Sequence, residues 1–277
     1  MGRRIFDWRL RRAICYSPES SCTSVPCRHR GPAVRLHSLP TYLRQFPWLT
    51  GLRFYLSDVI RAVLDPHSRT AYAQWGEDVA LACLIGSGPG FYVEVGANHP
   101  QYFSNVFALY RRGWRGISID ANESLVRLHR RCRPRDQMVC AAVSNVERRA
   151  VFTECDDSLL SSLDPSFVDH LNQRFDGKRL RQRQVTTRTL TSILDNARCP
   201  TRFELLSIDV EGHDFEVLSS LDLSRYRPRI VVIEMHEFSF EEAASHPVCG
   251  HMRSHGYTLA GHLATNTYFR DATSRAA

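Results

Sequence analysis

From residue 72 onward, blocks with helical apolar spacing alternate with short apolar runs. "YAQWGEDVALACLI" (72–85) predicts a helix, and "GSGPG" (86–90) a flexible turn. "FYVEVGA" (91–97) predicts a strand, "YFSNVFALYRRG" (102–113) a helix closed by glycine, "RGISIDA" (115–121) a strand and "ESLVRLHRRC" (123–132) a helix. "QMVCAAVS" (137–144) and "RRAVFTEC" (148–155) predict two more strands. Residues 156–184 are polar and without period, which predicts an inserted loop. "LTSILDNA" (190–197) predicts a helix, "FELLSIDV" (203–210) a strand, "DFEVLSSL" (214–221) a helix and "PRIVVIEM" (228–235) a strand. A helix is expected over 239–255, stopped by Gly256. "YTLAGHL" and "TNTYFRD" then form a closing antiparallel pair, because only a short turn joins them. The alternation gives an α/β fold, a mostly parallel sheet with helices on both faces and an antiparallel last strand.

Residues 1–38 have no such pattern and are rich in Arg, Ser, Pro and Cys, so little order is expected there. Residues 39–64 have helical apolar spacing broken by Pro47 and Gly51, and are expected to pack on the domain rather than lie on a membrane surface. The chain therefore divides into an Arg-rich extension, 1–65, partly disordered or helical, and a domain, 70–272. Charge supports this division. The net charge of +7 alone would suggest a nucleic-acid partner. But residues 1–70 hold twelve Arg, no Lys and four acids, whereas the remainder holds 24 basic and 25 acidic residues. The basicity belongs to the extension, and no nucleic-acid partner is expected.

No apolar run reaches the ~18 residues of a membrane span, and the first residues have charge without the apolar core of a secretory signal. Phe6 stands where a myristoylation signal needs Ser or Thr. Nine scattered cysteines without a Cys-x-x-Cys, with apolar neighbours around Cys83, Cys140 and Cys199, read as reduced, packed thiols and a cytoplasmic location. No Gly-x-x-x-x-Gly-Lys loop, Ser nucleophile elbow or His-Glu-x-x-His motif is present.

In an open α/β sheet the ligand lies outside the carboxyl ends of the strands. Those ends carry Glu94, Gly96, Ala97 and Asn98; Asp120; Ala142, Val143 and Ser144; Asp209, Glu211 and His213; and Glu234, His236 and Glu237. An acid ending the second strand is placed to bond a ribose diol, so Asp120 takes that role, with a helix N-terminal acid as the plainer reading. "VEVGANHP" (93–100) lacks the second and third glycines of a dinucleotide loop and puts Glu94 at the strand end. A carboxylate there disfavours a pyrophosphate and suits a cationic, phosphate-free cofactor. The plainer reading of Glu94 is a carboxylate bonded locally. Asp209, Glu211 and His213 occupy alternate positions of "IDVEGH" and would share one side if the strand stays extended. His236 follows Glu234 by the same spacing. His213 or His236 is expected to be a general base, with Asp209 and Glu211 orienting cofactor or acceptor; a strand-end polar residue bonded to backbone is the alternative for each His. Asp209, Glu211 and Glu234 could also hold a divalent cation. No tight ligand pattern stands out, so no metal is assigned.

"FYVEVGANHPQYFSNVFALYRRGWRGISIDAN", "VTTRTLTSIL" and "FELLSIDVEGHDFEVLSSLD", with the lead-in Tyr72 to Asp78, resemble the FkbM family of S-adenosylmethionine-dependent methyltransferases over about residues 70–272. The resemblance implies a class I methyltransferase (Rossmann-like) fold and methyl transfer to a hydroxyl of a sugar, glycan or secondary metabolite. It places Glu94, Gly96, Ala97 and Asn98 in the first cofactor motif, Asp120 on the ribose with Ala121 beside it, and Ala142 and Val143 against the adenine. His99-Pro100 departs from the Asp-Gly of many members. By composition, residues 156–184 read either as an acceptor lid, with Ser158, Ser161 and Ser162 available to sugar hydroxyls, or as a mobile surface insertion. A nicotinamide-dependent oxidoreductase and a non-catalytic binding protein are the competing readings.

Overall fold

The computed structural model describes residues 48–49, 52–53, 55–56, 71–86, 88–155, 161–174, 180–236 and 238–274. Two compact units divide the chain, Met1–Asp65 and Pro66–Ala277. In the first, the six described positions are helical, and the expectation of little order over 1–38 lies outside the described residues. No helix among the described residues is long and apolar enough to cross a membrane.

The second unit is built on a seven-stranded sheet. Its strands are β1 (Phe91–Val95), β2 (Arg115–Asp120), β3 (Gln137–Cys140), β7 (Arg202–Ile208), β8 (Arg227–Glu234), β9 (Tyr257–Leu263) and β10 (Asn266–Asp271). The order is β3-β2-β1-β7-β8-β10-β9. Strands β3 to β8 run parallel, and β10 runs antiparallel to both its neighbours. This is the class I methyltransferase arrangement, a doubly wound sheet with its reversed strand inserted last. The order reverses at β1, between β2 and β7, which is where such sheets bind ligands.

Central strands are apolar on both faces because helices cover both. Val93, Ile117, Ile119, Leu206, Ile208, Val231 and Ile233 face one core with α5 (Leu190–Asn196), α6 (Asp214–Ser219) and α7 (Pro247–Ser254). Tyr92, Leu205, Ile230, Val232 and Tyr268 face the other with α1 (Glu77–Ile85) and α2 (Phe107–Arg111). Helix α3 (Glu123–Cys132) is capped by the Asn122 side chain and lays Val126 against Ala97 and Met138.

Several elements depart from the periodicity. The helix expected over 102–113 forms only from Phe107, because turns occupy 99–106 and Phe103 is left-handed at φ 58°. The helix expected over 239–255 begins at Pro247, which fits the first helical turn but not a helix interior. The stretch 137–144 splits into β3 and β4 (Ala142–Val143), and β4 leaves the main sheet. It joins β6 (Leu180–Arg188), which pairs antiparallel with β5 (Arg149–Cys155) in a second, three-stranded sheet. Read as irregular, 156–184 thus contains part of a strand and α4 (Pro165–Arg174). β6 is "LRQRQVTTR", polar on both faces and largely exposed, so it shows no alternation. Cys199 is buried as expected, but Cys83 and Cys140 are exposed; Cys83, Cys132, Cys140, Cys199 and Cys249 form no disulfide.

Candidate active site

The first turn is held entirely from within. Gly96 N–H and Ala97 N–H both donate to the Ile119 carbonyl, at 3.0 and 3.1 Å, and Asn98 N–H donates to Asp120 Oδ2 at 2.8 Å. Three successive amide protons are therefore spent on β2, and none is left to cradle a phosphate. The next helix in the chain starts only at Phe107, so the turn does not run directly into a helix N-terminus. Gly96 has φ 78°, and a Cβ there would stand 1.7 Å from the Asp209 carbonyl oxygen. Its small size thus lets the ends of β1 and β7 meet. Asn98 takes the left-handed conformation, φ 44°, that its residue type tolerates.

Asp120 accepts the Asn98 and Asn122 amides, one on each oxygen. A carboxylate has about four lone-pair sites, so both oxygens keep capacity for ribose hydroxyls. Burial, reinforced by Glu94 and Glu154, pushes Asp120 up to about 6. Arg183 of β6 donates to the Ala121 carbonyl. Ala142 and Val143 are buried on β4, just before Ser144 in the chain.

Glu94 does not face the ligand edge as expected. Its Oε1 accepts from Ser104 Oγ at 3.0 Å, and its Oε2 accepts from Ser118 Oγ and pairs with Arg133 Nη2, both at 3.1 Å. Arg133 is also held by Asp136 at 2.7 Å and by the Tyr92 hydroxyl. A buried guanidinium needs this neutralisation, so the carboxylate serves the interior.

His129, which periodicity did not single out, supports the turn from below. It is buried on the apolar face of α3, four residues after Leu125. Its Nε2 lies 2.8 Å from the Asn98 carbonyl and 3.2 Å from that of Ala97. Burial and the Arg133 charge push it down to about 4, so the ring is neutral and Nε2–H is the donor. A histidine at core spacing on an amphipathic helix was the available signal. His99 acts locally: its Nδ1 accepts the Gln101 and Tyr102 amides at 3.1 Å, closing the His-Pro turn.

The end of β7 does not stay extended. Glu211 and Gly212 have φ 56° and 93°, and Asp214 closes the loop by accepting the Val210 and Gly212 amides. Asp209, Glu211 and His213 therefore do not share one side. Glu211 goes to Glu234 and His236: ligating atoms of these three lie within 4.8 Å of one another. His236 Nε2 is 3.3 Å from Glu234 Oε2. Asp209 hydrogen-bonds Glu234, and burial followed by the charges of Glu234, Glu211 and Asp214 holds its carboxyl well above the usual range. His213 turns the other way. Its Nε2 is 3.0 Å from Ser144 Oγ and its Nδ1 3.7 Å from Glu216 Oε2. Burial lowers its pKa despite Glu216, so the ring is neutral near pH 7. Glu237 and Ser158 lie outside the described residues.

The insertion docks on this loop. Ser162 Oγ donates to the Glu211 carbonyl at 2.8 Å, so it fixes the loop and is not turned to a sugar. A Cβ on Gly212 would meet Asp164 Oδ2 at 3.0 Å and Phe167 Cβ at 3.6 Å, so this glycine admits the insertion.

The family model described as the Methyltransferase FkbM domain matches residues 94–259, more than half the chain. Among solved structures, the chain is similar to a TehB-like SAM-dependent methyltransferase from Corynebacterium glutamicum, with 9% identity, TM-score 0.39, and coverage of 82% of this chain and 100% of that one. It is similar also to the 1,6-didemethyltoxoflavin-N1-methyltransferase of Burkholderia thailandensis, whose structure holds 1,6-didemethyltoxoflavin and S-adenosylhomocysteine. There identity is 13%, TM-score 0.38, and coverage 88% of this chain and 93% of that one. Both likenesses are too loose to carry an argument about residues. No curated protein matches the chain.

Proposed function

Because the chain belongs to the FkbM methyltransferase family and is an S-adenosylmethionine-dependent enzyme, we propose that it methylates a hydroxyl of a small molecule or glycan at the ends of β7 and β8. The observation that carries the cofactor assignment is the first turn, whose amides are all consumed internally beside the Asp120 carboxylate. That edge repels phosphate and accepts hydroxyl donors, which fits a phosphate-free adenosyl cofactor and disfavours a nicotinamide dinucleotide.

Asp120 would hold the ribose, the Gly96–Asn98 turn the methionine end, and Ala142 and Val143 the adenine. Bound S-adenosylmethionine supplies an electrophilic methyl on a sulfonium. The protein must then orient the acceptor and remove its proton. Asp209, Glu211, Glu234 and His236 line the acceptor side. His213 is the proton acceptor. Ser144 fixes the ring through Nε2, Nδ1 takes the proton, and Glu216 balances the imidazolium that forms. The docked insertion holds the 209–213 loop and shapes the acceptor side.

The test is calorimetric titration of the full chain with S-adenosylhomocysteine and NADH, followed by transfer of labelled methyl to a panel of sugars, glycans and hydroxylated metabolites. Binding of S-adenosylhomocysteine and label in an ether product are expected. Binding of NADH alone would overturn the reading, and label confined to nitrogen would overturn the hydroxyl acceptor.

A further inference from the structure

We propose that Glu211, Glu234 and His236 form a divalent-cation site on the acceptor side of the cleft, holding an acceptor that offers two neighbouring oxygens. The inference rests on the methyltransferase reading for its role, but on geometry for the site itself.

Two separate elements build the cluster. β8 ends at Glu234, and the chain delivers His236 two positions later. Glu211 comes from the other side, on the left-handed turn after β7. The three ligating atoms lie within 4.8 Å of one another. Ligands on one ion at ~2.1–2.4 Å can stand at most ~4.2–4.8 Å apart, so binding requires little more than side-chain adjustment. Two carboxylates and an imidazole suit Mn²⁺, Mg²⁺ or Zn²⁺, and three protein ligands leave positions open for substrate, as in catalytic metal sites.

Burial supplies a second observation. The Glu234 side chain is 5% exposed and directed at His236. Its carboxyl also meets that of Asp209, and Asp214 is buried nearby. Asp214 is committed to two backbone amides. Grouping four acids around one imidazole is costly unless protons or a cation lie between them. Protons alone would explain a merely structural cluster. They would not explain why the three groups able to ligate converge at the mouth of the sheet, where an acceptor must sit.

A cation here would bind the acceptor hydroxyl and a second oxygen beside it, orient the first and make its proton easier to lose. An acceptor with adjacent hydroxyls, or a hydroxyl beside a carbonyl, offers such a pair. Specificity would then follow the spacing of oxygens more than ring type.

The experiment uses the full chain, stripped with chelator and desalted, titrated with Mn²⁺ while free Mn²⁺ is followed by electron paramagnetic resonance. One Mn²⁺ per chain is expected, with affinity lowered more than about tenfold by Glu234→Gln and by His236→Gln. His236 is exposed, so its variant keeps the test meaningful if Glu234→Gln unfolds, as checked by circular dichroism. Absence of a stoichiometric site, or unchanged Mn²⁺ affinity in His236→Gln, would overturn the proposal. So would full-rate methyl transfer after chelation. Mn²⁺ binding in a chain that does not bind S-adenosylhomocysteine would leave the site standing and remove the methyltransferase reading instead.

Discussion

Arg133 Nη2 lies 3.1 Å from Glu94 Oε2, and neither side chain is more than 5% exposed. The pair spans from α3's end to the strand that leads into the Gly96–Asn98 turn. It makes Glu94 a residue of the interior, one step behind the site.

Glu94→Gln should therefore be read first as a stability change. Asp136 still neutralises Arg133, so the cost is expected at the low end for a broken buried pair, about 3 kcal/mol by urea unfolding. Wild-type stability with weakened S-adenosylhomocysteine binding would return Glu94 to the cofactor site.

Two glycines separate conformational strain from close approach. Gly113, φ 92°, has nothing within 4 Å of an added Cβ, so Gly113→Ala should cost only ~1–2 kcal/mol. Gly96→Ala adds a backbone clash with Asp209 to the same strain and should cost about 4 kcal/mol or more. Thermal unfolding of the two variants side by side checks this; equal melting points would mean that the ends of β1 and β7 yield easily.

Asp120 should make stability and binding respond to pH in opposite directions. Its folded value, about 6, is raised above 3.8. Its stabilising contribution is thus complete below 3.8 and is lost as pH rises through about 6. With Asp120 as the proposed ribose ligand in its carboxylate form, S-adenosylhomocysteine affinity should fall as pH drops from 7 to 5. Asp120→Asn should weaken binding by about tenfold or more and flatten that window. Calorimetry at stepped pH reads both effects, and an unchanged pH profile in Asp120→Asn would assign the titration to another group.

His129 and His99, both pushed down to about 4, act in the other sense. Their folded values lie below the ordinary 6.5, so the stability they permit is fully present above 6.5 and is lost as pH falls toward 4. His129→Gln keeps a donor for the Asn98 carbonyl and should shallow this acid decline in urea midpoints. A decline as steep as wild type would mean that His129 is not the group responsible.

His213→Ala should lower kcat by ~10²–10⁴-fold while S-adenosylhomocysteine affinity stays unchanged. His213→Gln keeps a partner for Ser144 but cannot take the proton, and should be equally slow. Recovery of rate in the glutamine variant would make His213 a positioning residue only.

Some of this was legible along the chain. Short apolar runs located the central sheet strands, since these bury both faces under helices. The place of Asp120 at the end of the second strand was legible because the apolar run of that strand stops there. Glu94 was misread because its partner, Arg133, sits in a different element, and spacing is silent about contacts between elements. β6 was missed because a polar, exposed strand needs only backbone pairing with β5, which leaves no hydrophobic trace. His129 carried a signal, its place on an apolar face, but nothing in the chain says which carbonyl it will meet.

The sequence by itself determined the order of the strands and helices of the main sheet, the placing of acids and histidines at strand ends and the family likeness, because these follow from local periodicity and motif spacing. Only the tertiary structure decided how those strand-end groups are used. The left-handed backbone at Glu211 and Gly212 sends Glu211 toward Glu234 and His236, and His213 toward Ser144. That parting is a property of loop geometry closed by Asp214 and braced by Ser162, set by contacts between segments far apart in the chain.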